Sequence, residues 1–339
     1  MALASASLCV GVSVAAQDLV DGAAGAISSP AVSDAATQQD AEPGAAIAAP
    51  SPALDDGLPD PSRWLLDTDE RHTAWLNRPL IDPADLAARP GAYADVLASH
   101  GILLDLESPL LALRGAALHD GASIGYPVEY LVVNSRGRTY EAAVIVRAMP
   151  SVVDACLSAM GLVAGSPTTF SERDPPPSEE QLEAGVSAWS MTSVSGPLLS
   201  IDVQWTDADG KPQTSSLESM LLQLPADGGA PQPLDELGWV YCGSGFGRYR
   251  QGRDMVRWHR GDVEGDLVAI YLDGRQACLL ERNSLDGIDG SLYTLNPDAV
   301  PGSQTPVTLM LRPRVGERVE AREISLDRTP DAAGDPAGG

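Results

Sequence analysis

The chain has 339 residues, 44% of them hydrophobic, enough to bury one large core or two modest ones. Forty-seven acids face 22 basic residues, all arginine except Lys211, for a formal net charge of −25. That balance argues against nucleic acid as a partner, because neutralising phosphates takes clustered cations. It favours instead a cationic or calcium-bearing surface.

The first sixteen residues, MALASASLCVGVSVAA, are apolar or small and close on Val14-Ala15-Ala16, as a signal peptidase site does. They read as a signal peptide (1–16) cleaved near Ala16, with a disordered Ala-rich leader as the other reading. Cys9 follows Leu8, where a lipoprotein anchor takes a small residue. Residues 17–60 hold eight acids and no Lys or Arg among Ala, Pro and Gly, a composition too poor in apolar surface to offset its ordering entropy. They are expected to form an acidic tether, and residues 317–339 a similar tail. No run after the leader approaches the roughly 18 apolar residues of a membrane span. The expected product is soluble after cleavage and exported to the periplasm or cell surface, with 61–316 as its folded domain.

Within that domain Trp64 and Trp75 are expected to anchor the start to the core. HGILLDLESPLLALRG is strand-like, with Pro109 at an edge or bend. VEYLVVNSRGRTYEAAVIV, Val128 to Val146, reads as two strands of a hairpin about Ser135-Arg136-Gly137-Arg138. Pro150 starts a helix whose stripe is Val152, Val153, Cys156, Leu157 and Met160, with Gly161 as its C′ residue. A short helix is expected over Glu179–Glu183. LLSIDVQW and the residues after DADGKP form a second hairpin, and LESMLLQL, Leu217 to Leu224, a brief helix. GWVYCGS, DLVAIYL, RQACLLE and TPVTLMLRP then give four strands between Gly-, Asp- or Asn-rich turns. The fold class is α+β: β-rich, mainly antiparallel strands and hairpins, with a few short helices packed on them.

In that order the elements resemble the YdjY-domain family of exported bacterial proteins. The resemblance rests on GYPVEYLVVNSRGRTYEAAVIVRAMPSVVDACLSAMGLVAGSP, Gly125 to Pro167, then on VQWTDADGKP, GWVYCGSGFG and NPDAVPGSQTPVTLMLRP. The family carries a His-Glu pair at the start of the second strand, where this chain has Tyr140-Glu141. The resemblance implies a fold and an exported location, and no established activity.

Several residues are candidates for chemistry. Glu129 and Glu141 can act as a carboxylate pair only if they share a face at about 5 to 9 Å, and a two-residue hairpin turn points them to opposite faces. His72, His100, His119 and His259 lack the close spacings of a metal site, and the cysteines fit no zinc or iron–sulfur pattern, so no metal and no cofactor is expected. Cys242 and Cys278 are a candidate disulfide, with Cys156 a buried thiol. Asp207-Ala208-Asp209-Gly210 reads as a turn rather than a calcium loop. Arg248, Arg250, Arg253, Arg257 and Arg260 crowd thirteen residues with His259, Tyr249 and Trp258. Planar guanidinium groups and aromatic platforms suit an anionic ligand or acidic glycan. The preferred reading of the segment is nonetheless structural, a solvated hairpin whose charge is balanced by the protein's own acids, Asp254, Asp262 and Glu264 among them. The preferred function is a non-catalytic binding or structural module of the cell envelope, its partner an envelope protein or anionic ligand. The alternative is an envelope hydrolase in which Glu129, Glu141 and His119 are the leading catalytic candidates.

Overall fold

The computed structural model describes residues 79–118, 127–225, 228–251, 254–270, 278–284 and 292–327. The leader, the tether, Trp64, Trp75, His72, His119, Arg253 and the end of the tail lie outside the described residues.

Among the described residues two short helices come first, α1 (Pro83–Ala88) and α2 (Ala94–Ser99). Asp82 caps α1 by accepting a hydrogen bond from the Ala84 amide at 3.0 Å, and Pro83 at the first position has no N–H to leave unmet. β1 (Ile102–Asp105) and β2 (Leu110–Ala117) make a hairpin around Pro109, followed by β3 (Tyr130–Val133) and β4 (Ala142–Val146). Next come α3 (Pro150–Ala159), β5 (Thr169–Glu172), α4 (Glu179–Glu183), β6 (Trp189–Thr192), β7 (Gly196–Thr206), β8 (Pro212–Ser216) and β9 (Leu221–Leu224). β10 (Gln232–Pro233), β11 (Trp239–Tyr241), β12 (Phe246–Gln251), β13 (Asp254–His259), α5 (Arg260–Glu264) and β14 (Asp266–Ala269) follow. β15 (Leu280–Arg282), β16 (Leu292–Leu295), β17 (Pro306–Val319) and β18 (Glu323–Ser325) complete the order.

The fold is β-rich with few, short helices, as expected, and its main sheet is closed. Hydrogen bonding runs β2-β17-β7-β11-β15-β14-β3-β4 and returns from β4 to β2, an eight-stranded barrel flanked by β1 and β8. Closure abolishes edges that would otherwise template association. At the seam Gly115 faces Val146, and a Cβ there would stand 2.4 Å from the Ile145 carbonyl oxygen, so the strands approach only because the residue is glycine. Leu111 and Leu113 of β2, Leu199, Ile201 and Val203 of β7 and Leu309 of β17 alternate along their strands and join the α3 stripe in one large core. Val153, Cys156 and Leu157 of that stripe are fully buried, and Gly161 ends the turn at φ +87°.

Four expectations need correction. The segment from Val128 to Val146 is not a hairpin: β3 and β4 pair in parallel, Tyr130 beside Ala142 and Val132 beside Val144. The reason lies far away in sequence. Asn134 donates its amide to the Gly265 carbonyl at 2.7 Å, Arg138 is held by Asp266, and β14 occupies the edge of β3 that a returning hairpin strand could take. A 3-10 turn at Thr139–Glu141 then delivers β4 to the other edge in the same direction. Leu217 to Leu224 is not a helix either, but a 3-10 turn (Glu218–Met220) leading into β9, which pairs with β16. The tail begins later than position 317, since β17 reaches Val319 against Gly196 and β18 pairs with β6.

The fourth correction is the Cys242–Cys278 bridge, which is not formed. β11 and β15 are neighbours, with Tyr241 opposite Leu280, so Cys242 falls opposite Leu279 and one residue out of step with Cys278. That offset sends the two side chains to opposite faces. Cys242 packs with Val194, Leu198 and Val240, whereas Cys278 packs with Tyr130, Val133 and Ala269. The Cys242 thiol donates to the Leu279 carbonyl at 3.2 Å, and burial holds its pKa well above the usual thiol range. Cys156 is a thiol in the large core, its pKa pushed up to about 12 by burial.

Candidate functional site

β12 and β13 form a two-stranded sheet of their own, the arginine-rich hairpin. Its first strand leaves the barrel after β11 through Gly243-Ser244-Gly245, where Gly243 turns at φ +74°, and its second runs into α5 and so back to the barrel at β14. Arg248 stands directly opposite Arg257, and Arg250 opposite Met255. Arg248, Arg257 and Arg260 are exposed. Arg257 lays its guanidinium over the Phe246 ring, 3.5 Å from the centroid. No acid pairs with Arg248 or Arg257 among the described residues. Asp262, expected to balance them, is buried and committed elsewhere. Trp258 does not stand out as a free platform. It is half-buried across from Gly247, where a Cβ would lie 2.1 Å from its indole ring.

Under the hairpin lies a polar cluster that no local motif in the sequence announces. His259 closes β13 and is only 1% exposed. Its Nε2 is 3.5 Å from Asp154 Oδ2 on α3 and its Nδ1 is 3.8 Å from Asp262 Oδ1 on α5. Both are ion-pair distances too long for hydrogen bonds, and neither ring nitrogen has a hydrogen-bond partner among the described residues. Phe246 meets the ring edge to face, with centroids 5.2 Å apart. Asp154 accepts a hydrogen bond from the Tyr241 hydroxyl at 2.5 Å, and Tyr241 shares another with Ser158 at 3.1 Å. Burial, and then the Asp154 charge, push the Tyr241 phenol far above its ordinary range. Asp262 accepts from the Ser151 amide at 2.7 Å, and burial raises its carboxyl pKa even though the His259 ring works the other way. A cavity of about 60 Å³ opens beside the ring, lined by His100, Ser151, Arg257, Trp258, His259 and Asp262 together with apolar side chains.

Glu129 and Glu141 sit apart from this cluster. The parallel register puts Glu129 beside Glu141, and the Glu129 amide donates to the Glu141 carbonyl at 3.2 Å. The two glutamates are therefore neighbours, contrary to the antiparallel expectation, but neither lines the cavity beside His259 or the larger one of about 430 Å³ at Gly243-Ser244-Gly245. Asp207 spends its carboxylate on its own turn, accepting from the Lys211 amide at 2.8 Å, the Gln213 side-chain amide at 2.6 Å and the Asp209 amide at 2.9 Å. Those bonds hold its pKa below the usual range. No cluster of three or more His, Cys, Asp or Glu side chains among the described residues can hold a metal ion. No helix among them is long and apolar enough to cross a membrane.

The signal that could have exposed the cluster is Asp154, a single acid in an otherwise apolar helix run, VVDACL. Its partners lie 87 and more positions away, so spacing alone does not join them. No protein-family model, no curated protein and no solved structure matches this chain.

Proposed function

We propose that the protein is an exported, non-catalytic YdjY-like binding module that holds an anionic ligand on the β12–β13 hairpin. One observation carries the reading: Arg248 and Arg257 oppose each other directly, exposed and with no acid paired to either among the described residues. Like charges in that position destabilise a strand pair unless something neutralises them. In a chain of net charge −25, two unneutralised guanidinium groups in register offer a bidentate site for carboxylate, sulfate or phosphate oxygens. Phe246 beneath Arg257 fixes the orientation of one of them. Export rests on the leader, and the envelope setting on the YdjY resemblance.

The test uses heparin as a polyanionic glycan probe with the mature full chain. Binding that weakens as salt rises and is lost in the Arg248→Ala/Arg257→Ala double variant supports the reading. Equal binding by the double variant overturns it.

A second reading, an envelope hydrolase, is favoured by the adjacency of Glu129 and Glu141. It requires that Glu141→Gln abolish turnover of a glycoside substrate while leaving heparin binding intact.

A further inference from the structure

Among the described residues, His259 is the buried group with the most unmet hydrogen-bonding capacity. A neutral imidazole presents one donor and one acceptor, and here both ring nitrogens are enclosed and unsatisfied by the described residues while two carboxylates face them. A polar group buried without a partner is unfavourable, and native interiors rarely leave one so. Protonation makes both nitrogens donors. Movements of under about 1 Å then convert the two gaps into charge-assisted hydrogen bonds of about 2.7–2.9 Å.

We infer that His259 is a proton-operated clamp on the hairpin: when the ring is charged it closes on Asp154 and Asp262 together, and anion binding at Arg248 and Arg257 strengthens. The effect on binding rests on the anion-binding reading above. The clamp itself rests on the geometry around the ring.

The groups facing the ring have definite parts. From α3 comes Asp154, whose other oxygen is held by Tyr241 of β11, so it stays in place to receive a proton donor. From α5 comes Asp262, anchored on the Ser151 amide at the start of α3. A charged His259 therefore ties the end of β13 to both helices at once. Across the cavity lies His100 at the end of α2, whose Nδ1 accepts from the Met149 amide at 3.4 Å. On β13 and α5 the neighbouring cations are Arg257 and Arg260, both exposed. The route to the ligand is short: the His259 ring touches Phe246, and Phe246 in turn carries the Arg257 guanidinium. Charging the ring also cancels one of the two negative charges beneath the hairpin. Both effects have the same sign, so anions bind better as pH falls. The gain ends where Asp262, its pKa raised by burial, takes up a proton and its bond to the ring is no longer an ion pair.

The experiment follows the full chain from about pH 8 to about pH 5, where imidazoles ordinarily change charge. Imidazole nitrogen shifts are read by NMR alongside the Phe246 ring signals, and heparin affinity is measured at each pH for wild type and His259→Gln. We expect the His259 nitrogens to titrate, the Phe246 signals to move with the same midpoint, and heparin affinity to rise about fivefold more in wild type than in His259→Gln, the low end of usual intersite coupling. The variant retains the other histidines, so the difference isolates this ring. A His259 ring whose shifts stay fixed over the range overturns the clamp, and so does a titration that leaves Phe246 unmoved or an equal heparin rise in His259→Gln. Should wild type bind no heparin at any pH while His259 and Phe246 titrate together, the anion-binding reading falls and the clamp stands.

Discussion

Arg138 and Arg257 each lay a guanidinium over an aromatic ring, 4.5 Å from the Tyr130 centroid in one case and 3.5 Å from the Phe246 centroid in the other. There the likeness ends. Arg138 reaches Asp266 at 2.6 Å, with the two side chains 19% and 1% exposed, and so locks the turn after β3 to the start of β14. Arg257 is exposed, stands opposite another arginine and has no acid partner among the described residues. The same residue on the same kind of platform is a rivet where a buried carboxylate answers it. Where none does, it is an unsatisfied cation. Compensation, rather than arginine content, separates the buried, paired arginine from the exposed one in this comparison.

The largest effect expected from this contrast is at the rivet. Arg138→Met keeps the aliphatic stem but removes the guanidinium that lies over Tyr130 and pairs with Asp266, leaving that buried carboxylate the Arg138 backbone amide but not its ion-pair partner there. Removing one partner of a buried pair costs about 3–5 kcal/mol, and urea unfolding should show a loss of that order. A loss below about 1 kcal/mol, the range of exposed pairs, would place Arg138 in the same class as Arg257 and dissolve the comparison. Next in size is Gly265→Ala. Gly265 sits at φ +82°, and a Cβ there would lie 2.3 Å from the Gly137 amide nitrogen, against backbone that cannot step aside. The left-handed conformation alone costs an alanine about 1–2 kcal/mol, so a total of about 2–3 kcal/mol is expected by the same measurement. The rivet and the glycine crossing it should weaken together, because both hold β3 against β14.

A smaller, pH-dependent effect grades compensation between those extremes. Glu218 is 2% exposed and accepts from the Gly238 amide at 3.0 Å, yet burial still raises its pKa, with hydrogen bonds and the charge of Arg314 only partly opposing. A folded-state pKa above the unfolded value means the folded protein holds the proton more tightly. That contribution is complete below the unfolded carboxylate range, about pH 4, and is lost as pH rises through the raised value. Glu218→Gln keeps an acceptor for Gly238 and has no charge to bury. Its Tm should equal or exceed that of wild type by about 2 °C at pH 7, and the advantage should vanish toward pH 4. A Tm difference independent of pH would show that Glu218 is as fully compensated as Asp266.

Local pattern carried much of the fold into the sequence. The alternation in LLSIDVQW, the stripe Val152, Val153, Cys156 and Leu157, and the Asp207 to Lys211 turn depend on neighbours within a few positions, and each is present as expected. What the sequence hid depends on partners far along the chain. The parallel course of β3 and β4 is imposed by Gly265 and Asp266, the latter 128 positions from Arg138. Closure needs Gly115 against Ile145, a contact no period reveals. The Cys242–Cys278 expectation brought the two residues to the ends of neighbouring strands, Cys242 just past β11 and Cys278 just before β15, and missed by one step of register. The candidate site divided in the same way: the arginine run was conspicuous in an acidic chain, whereas the Asp154–His259–Asp262 cluster joins α3, β13 and α5 and has no local signature.

The smallest stability effect, and the sharpest division, is expected at the hairpin itself. Arg248→Ala and Arg257→Ala remove exposed side chains that make no ion pair among the described residues, and ordinary surface substitutions stay within about 0.5 kcal/mol. Two opposing terms bear on the sign. Truncating Arg257 forfeits the stacking on Phe246, worth about 0.5–1 kcal/mol at an exposed site, while relieving the like-charge pair recovers a comparable amount. The single Arg248→Ala variant keeps the stack and removes only the repulsion, so its Tm should match or slightly exceed that of wild type. Arg257→Ala should fall a little below it, and the double variant, which also loses the stack but has no further repulsion to relieve, should sit close to Arg257→Ala. Heparin affinity should follow a different order: each single variant weakened, the double variant silent. If stability and affinity instead fall in parallel across the three variants, the hairpin arginines are held by the fold as Arg138 is, and the anion site has to be sought elsewhere.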